Sequence, residues 1–188
     1  MSTDTNAPAK PVVLLDVDDV LNIFPKHPNK HLRYWDDWVK TTIHEDNKDY
    51  PFTYSPAMLS ALVDAVSGAD VYWLTTWRAS AVSKVAPTLG LPAHWTHLDA
   101  DGGDDPYNLT PGIVKFTADL RPWWKFTAAK PFLESGTKVV WIDNDYRTKP
   151  MKANFPWLRD NLLPVVPSGT VGVTPDHIAA ITAFLSDS

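Results

Sequence analysis

Short apolar runs that end in acids or hydroxyls alternate along this chain with stretches of helical period. Val12-Val13-Leu14-Leu15 is aliphatic without a polar break and runs straight into Asp16 and Asp18. That is the pattern of a strand buried on both faces. Val71 to Leu74 is a second such run, ending in Thr75-Thr76, and Trp95 to Leu98 is a shorter third. Val139-Val140-Trp141-Ile142 ends in Asp143-Asn144-Asp145, and Leu163 to Val166 closes the set. Between these runs, Ser55-Pro56 opens a helix, with Ser as N-cap and Pro at the first helical position. Met58, Leu59, Leu62, Val63 and Val66 form its apolar face, and Gly68 ends it. A second helix is predicted from about Ala79 to Leu89, stopped by Gly90, and a short helix or loop over Met151 to Asn161. Thr174-Pro175-Asp176 starts a final amphipathic helix through Ile178, Ile181 and Leu185. Strands alternating with helices predict a parallel α/β sheet.

Two segments break the rhythm. Residues 1–10 are small and polar and read as a disordered tail, leaving 11–188 as a single domain. Residues 22–55 are irregular and rich in His, Pro and aromatics; they read as a flap or small cap, with a short helix near Tyr34 to Thr42. The 188 residues are enough for one core without covalent staples. The absence of Cys excludes disulfides, thiolate metal sites and Cys nucleophiles. A net charge of −5 argues against a broadly basic nucleic-acid surface. There is no order of basic then apolar residues at the N-terminus and no run near the roughly 20 apolar residues of a membrane helix. A soluble, cytoplasmic protein with no membrane partner is expected. The 17 Pro imply many fixed turns, and the 9 Trp imply either core or a surface for a flat ligand.

Ligands of open parallel sheets bind beyond the carboxyl ends of the strands. Three strands here end in chemically capable residues: Asp16 and Asp18, Thr75 and Thr76, and Asp143 with Asp145. Carboxylates brought so close repel unless a cation neutralises them. Mg2+ suits such a site because it prefers oxygen ligands, so Asp16, Asp18, Asp143 and Asp145 are the candidate metal residues. A hard cation beside a carboxylate nucleophile would also shield an incoming phosphate.

Leu14-Leu15-Asp16-Val17-Asp18-Asp19-Val20-Leu21-Asn22 resembles the first motif of the haloacid-dehalogenase (HAD) superfamily: apolar strand, Asp-x-Asp, then usually Gly. Val71 to Thr76 resembles its second motif and Val139 to Asp145 its acidic fourth, in the family's order. The likeness runs from about Val12 to Leu185. It implies a Rossmann-like parallel sheet sandwiched by helices, carrying a small flap or cap insertion. It also implies Mg2+-dependent phosphomonoester hydrolysis. Asp16 would be the nucleophile that becomes an aspartyl-phosphate, and Asp18 the general acid and base. Thr75 would bind the phosphoryl group, with Thr76 as its alternative. Asp143 would hold Mg2+ with Asp16 and the Asp18 carbonyl, assisted through water by Asp145 or Asn144. The family also needs a Lys; Lys125 is favoured over Lys115 and Lys130, with Thr127 as a helix cap behind it and Pro131 in the first turn. Asp19 stands in place of the usual Gly, and Asn144 where many relatives carry Asp. Pro167 to Pro175 resembles small HAD-like domains associated with nucleic-acid repair.

Other residues bear on the substrate. Arg78 is placed to reach a second phosphate. Lys26, His27, Lys30, His31 and Arg33, with Tyr34, Trp35 and Trp38, form a basic and aromatic patch that could receive a nucleotide or polynucleotide-end phosphate. His94 and His97 match no complete metal set and read as structural. A small-metabolite phosphatase or phosphotransferase, and a non-catalytic phosphate or nucleic-acid-end binder, are the alternatives on the same fold.

Overall fold

A computed structural model describes residues 9–25, 33–99, 124–146 and 160–187. In chain order its elements are β1 (Val12–Leu15), β2 (Val39–Glu45), β3 (Lys48–Tyr54), α1 (Pro56–Ala65), β4 (Asp70–Trp73), α2 (Ala86–Leu89), β5 (Thr96–His97), α3 (Trp124–Glu134), β6 (Val139–Ile142), β7 (Leu162–Val165) and α4 (Pro175–Ser186). A π-helical turn, Ala81–Val85, leads into α2. Strands β5-β4-β1-β6-β7 form one sheet in that order, and every pair in it is parallel.

β1 is the central strand, and its alternating residues fill two different cores. Val13 and Leu15 join Met58, Leu59 and Leu62 of α1 and Ile181 of α4. Val12 and Leu14 point the other way, into a layer with Ala129 and Leu133 of α3. Helices therefore cover both faces of the sheet. This is why β1 and β6 carry apolar residues at every position, all of them buried. The α/β architecture with a helix-flanked parallel sheet is as expected from the sequence. Among the described residues no helix is long and apolar enough to cross a membrane.

The flap differs from expectation. In place of a helix near Tyr34 to Thr42, β2 and β3 form an antiparallel hairpin in register from Val39↔Tyr54 to Glu45↔Lys48. Its turn is Asp46-Asn47, both at positive φ (49° and 59°). Asp and Asn tolerate that conformation, and two such residues give the twist a hairpin needs. The β-branched run Thr41-Thr42-Ile43 carried this signal, and the aromatic density beside it obscured it. Ile43 and Phe52 are the buried residues of the hairpin and anchor it to the core.

Other boundaries shift for local reasons. The predicted Ala79 to Leu89 helix keeps that span but carries a π turn at Ala81–Val85; Pro87 lacks an N–H, so a regular ladder cannot run through it. Gly90, at φ 68°, closes it as expected. Thr127 does not cap α3 but lies inside it, and Pro131 sits in its interior rather than in its first turn. Strands β4 and β7 lie one residue earlier than the apolar runs suggested, and β5 is shorter. Lys10 of the expected tail pairs with Asp70 at 2.5 Å on the surface. Residues 1–8, Lys115, Met151 to Arg159 and the patch residues Lys26, His27, Lys30 and His31 lie outside the described residues.

α1 and α4 begin as the sequence predicts. Ser55 Oγ accepts from Met58 N at 3.0 Å, and Asp37 adds a second acceptor for Ala57 N at 2.6 Å. At α4, Thr174 Oγ1 accepts from His177 N (3.4 Å), while His177 Nδ1 accepts from Thr174 N (3.1 Å). This is a capping box closed by an imidazole, which can accept there only while Nδ1 is unprotonated. Burial lowers the His177 pKa below its ordinary 6.5. The unfolded chain therefore takes up the proton first, so this contribution is complete above 6.5 and shrinks as pH falls below it. We expect the Tm gap between wild type and His177→Ala to be wider at pH 8 than at pH 5.5. A gap that does not change with pH would show that the cap does not depend on imidazole charge.

Candidate active site

The carboxyl ends of β1 and β6 meet around one buried lysine. Lys125 Nζ lies 2.6 Å from Asp16 Oδ2 and 2.8 Å from Asp143 Oδ2. All three side chains are buried, and Asp143 is fully so. The remaining oxygens are held by backbone: Val17 N donates to Asp16 Oδ1 (2.8 Å) and Asp145 N to Asp143 Oδ1 (2.8 Å). Trp141 Nε1 reaches Asp143 Oδ2 at 3.4 Å from within β6. Helix α3, on the far face of the sheet, thus delivers its second residue between two adjacent strand ends.

The charges explain how these groups titrate. Burial opposes the Lys125 charge, but attraction from Asp16 and Asp143 outweighs it and holds the pKa above the ordinary lysine value. Burial first, and then repulsion from Asp16, push the Asp143 pKa up to about 7. Two buried carboxyl groups face one cation, so once Asp143 ionises the centre carries an excess negative charge. This donor chemistry fits a divalent cation. Mg2+ needs only one or two protein carboxylates and otherwise keeps water or binds substrate oxygens. Among the described residues no three acidic or imidazole side chains converge as a complete cage. Asp16 and Asp143 are the pair that fits; Asp145 meets Asp143 through its backbone N–H and is half-buried.

Asp18 stands apart from the lysine pair. The chain turns sharply after Val17, whose carbonyl accepts from Leu21 N (2.8 Å) and Asn22 N (3.0 Å). Asp18 Oδ1 accepts from Asn22 Nδ2 (3.0 Å) and Oδ2 from Trp77 Nε1 (2.9 Å). Burial raises the Asp18 pKa; the two hydrogen bonds oppose the rise, and Asp16 adds to it. A half-buried carboxyl that keeps its proton more readily than usual is suited to act as an acid.

Thr75 is buried at the end of β4, with Oγ1 3.4 Å from Trp77 N. Thr76 is exposed and faces the cleft beside Asp18. Arg78, expected to meet substrate, lays its guanidinium 3.5 Å from the centroid of Trp124 and pairs with Asp99 at 3.1 Å. It has a left-handed backbone, φ 49°, and braces the start of α3 next to Lys125. His97 also pairs with Asp99, in keeping with a structural role.

The two departures from the HAD pattern meet each other. Asp19 has φ 61°, the conformation that explains a Gly preference there and that Asp tolerates. Its Oδ2 accepts from Asn144 Nδ2 at 3.1 Å. An Asp at 144 would put a second carboxylate against Asp19, whereas Asn supplies a donor. The turn after β7 packs here as well: a Cβ on Gly169 would lie 1.9 Å from Asp19 Oδ1.

The sequence reading did not single out Asn22 or the indole of Trp77 as partners of Asp18. Asn22 had a signal, a buried-type position four residues after Asp18 in a turn. Trp77 had none, because its contact spans 59 residues of chain. No protein-family model matches this sequence, and no curated protein matches it.

Proposed function

We propose that the chain is a Mg2+-dependent phosphomonoester hydrolase that works through an aspartyl-phosphate on Asp16. The observation that carries this reading is the shared lysine. Lys125 orients the carboxylates of Asp16 and Asp143 together at the carboxyl edge of a parallel sheet, with a third acid, Asp18, beside them. The resemblance of the three strand-end motifs to the HAD superfamily supports the same reading.

The chemistry follows from these positions. An Asp16 carboxylate oxygen attacks phosphorus; the bond from phosphorus to the ester oxygen breaks, and its electron pair stays on that oxygen. Asp18 gives the leaving oxygen its proton and becomes a carboxylate. A water oxygen then attacks the aspartyl-phosphate while Asp18 takes a proton from it. The phosphorus–Asp16 bond breaks, releasing inorganic phosphate and restoring both carboxyl groups. Lys125 and the Thr75 hydroxyl stabilise charge on the phosphoryl oxygens. Mg2+, held by Asp16 and Asp143, would supply a Lewis acid for those oxygens.

Two of the three aromatics of the proposed nucleotide patch have other work. Trp35 Nε1 donates to Val173 O and Trp38 Nε1 to Trp35 O, both at 2.8 Å, and both rings pack on the core. A nucleotide or polynucleotide end is therefore tested as one substrate class among several. With p-nitrophenyl phosphate, Mg2+ is expected to support phosphate release that falls at least about 100-fold in EDTA. Equal rates with and without chelator would remove the metal from the proposal. Phosphate bound but never released would leave a binding protein on this fold.

A further inference from the structure

A cavity of about 270 Å3 opens between the hairpin and the end of β4, lined by Asp18, Glu45, Asp46, Tyr50, Thr76 and Trp77 among others. Both oxygens of Asp18 are held by groups that are themselves tied to β3. Asn22, 2% exposed, donates from Nδ2 to Asp18 and to Pro51 O (3.3 Å), and its Oδ1 accepts from Thr53 N (2.9 Å). Trp77 donates to Asp18 Oδ2 and sets its ring edge-on to Tyr50 and Phe52, with centroids 5.0 and 5.4 Å away. The hairpin thus fixes the direction in which Asp18 points and also forms the wall of the cavity beside it. In the reaction proposed above, the proton from Asp18 goes to the leaving oxygen, so the leaving group lies on this side.

The charge of the lining limits what can enter. Glu45 accepts from the Ser80 hydroxyl, and Asp46 follows at the turn. Lys48 sits across from Glu45 in the hairpin, and His44 pairs with Asp49 at 2.5 Å; neither lines the cavity. Among the described residues that line it, none is a lysine or arginine. A second phosphate or a polynucleotide would bring like charge against Glu45 and Asp46, which disfavours it in a close contact.

We propose that this cavity receives the leaving alcohol, that it takes a small alcohol without further negative charge, and that Asn22 and Trp77 are positioning residues that hold Asp18 toward it. The proposal rests on the phosphatase reading above. An alkyl alcohol is a poor leaving group and needs a proton, whereas a nitrophenolate does not. Phosphate release is therefore measured from butane-1,4-diol monophosphate, its 1,4-bisphosphate, a 5′-phosphorylated oligonucleotide and p-nitrophenyl phosphate, each with Mg2+. Wild type is expected to prefer the monophosphate to the bisphosphate by about tenfold or more in kcat/KM, with the gap narrowing in Glu45→Gln/Asp46→Asn. In Asn22→Ala and in Trp77→Phe, the ratio of alkyl to aryl kcat is expected to fall at least about tenfold. Trp77→Phe keeps a ring against Tyr50 and Phe52, so it serves if Asn22→Ala does not fold. Equal losses on alkyl and aryl substrates would overturn the positioning role. A wild type that prefers the bisphosphate or a 5′-phosphorylated oligonucleotide would overturn the alcohol class. No phosphate from any substrate would sink the phosphatase reading itself, and this proposal with it.

Discussion

Asp16→Asn is expected to abolish turnover while leaving the protein as stable as wild type or more so. The loss in kcat should be at least about 10^4-fold, the scale seen when a covalent nucleophile is removed. The stability side comes from the charge balance at Lys125. Asp16 and Asp143 both contact one ammonium group and repel each other, which is part of why the Asp143 pKa rises to about 7. An amide at position 16 is close to isosteric and leaves Lys125 and Asp143 as a balanced pair. Site strain of this kind is a common source of stability given up for function. Initial rates on p-nitrophenyl phosphate and thermal unfolding at pH 7.5 without metal check both halves. Activity retained in this variant would remove Asp16 as nucleophile. A large fall in Tm would mean that the activity was lost through unfolding.

Lys125→Met should do the reverse to stability. It leaves two buried carboxylates with no cation between them, a loss of about 3–5 kcal/mol. For a chain of this size that corresponds to roughly 10 °C in Tm. Activity should vanish as well. The loss should be pH-dependent, and its sign follows from Asp143. Its folded pKa, about 7, exceeds the ordinary 3.8, so between these values the folded state holds the extra proton. Stability from this group therefore rises as pH falls through 7 and is complete only below 3.8. Without the lysine the preference for a proton is stronger, so Lys125→Met should recover part of its deficit between pH 8 and pH 5.5. Mg2+ at pH 8 should stabilise wild type by mass action if it binds the folded state alone. A deficit in Lys125→Met equal at both pH values would mean that the two acids are not coupled through this lysine.

The legible part of this site was the part written in short stretches. Asp16 and Asp143 each follow an uninterrupted apolar strand, so their place at a sheet's carboxyl edge could be read without coordinates. The positive φ at Asp19 agrees with the resemblance, which usually has Gly at that position, a residue suited to such a backbone. Lys125 was preferred for a wrong local reason: Thr127 is not a cap, and Pro131 lies within the helix. Among the described residues it is nevertheless the lysine that reaches both acids, because α3 packs on the sheet beside β1 and β6. Arg78, read from the sequence as a substrate contact, also lies over the Trp124 ring, a contact no local pattern records.

By itself, then, the sequence determined the alternation of strands and helices, the five-run parallel sheet, and the acids and threonines at its carboxyl ends. These depend on side-chain period and local capping, which neighbouring residues set. The tertiary structure decided which lysine joins Asp16 to Asp143, that Asn144 answers Asp19, and that a hairpin holds Asp18 through Asn22 and Trp77. Each of those contacts closes a loop of chain between residues whose separation no local pattern records. Geometry and charge, rather than spacing, select the partner.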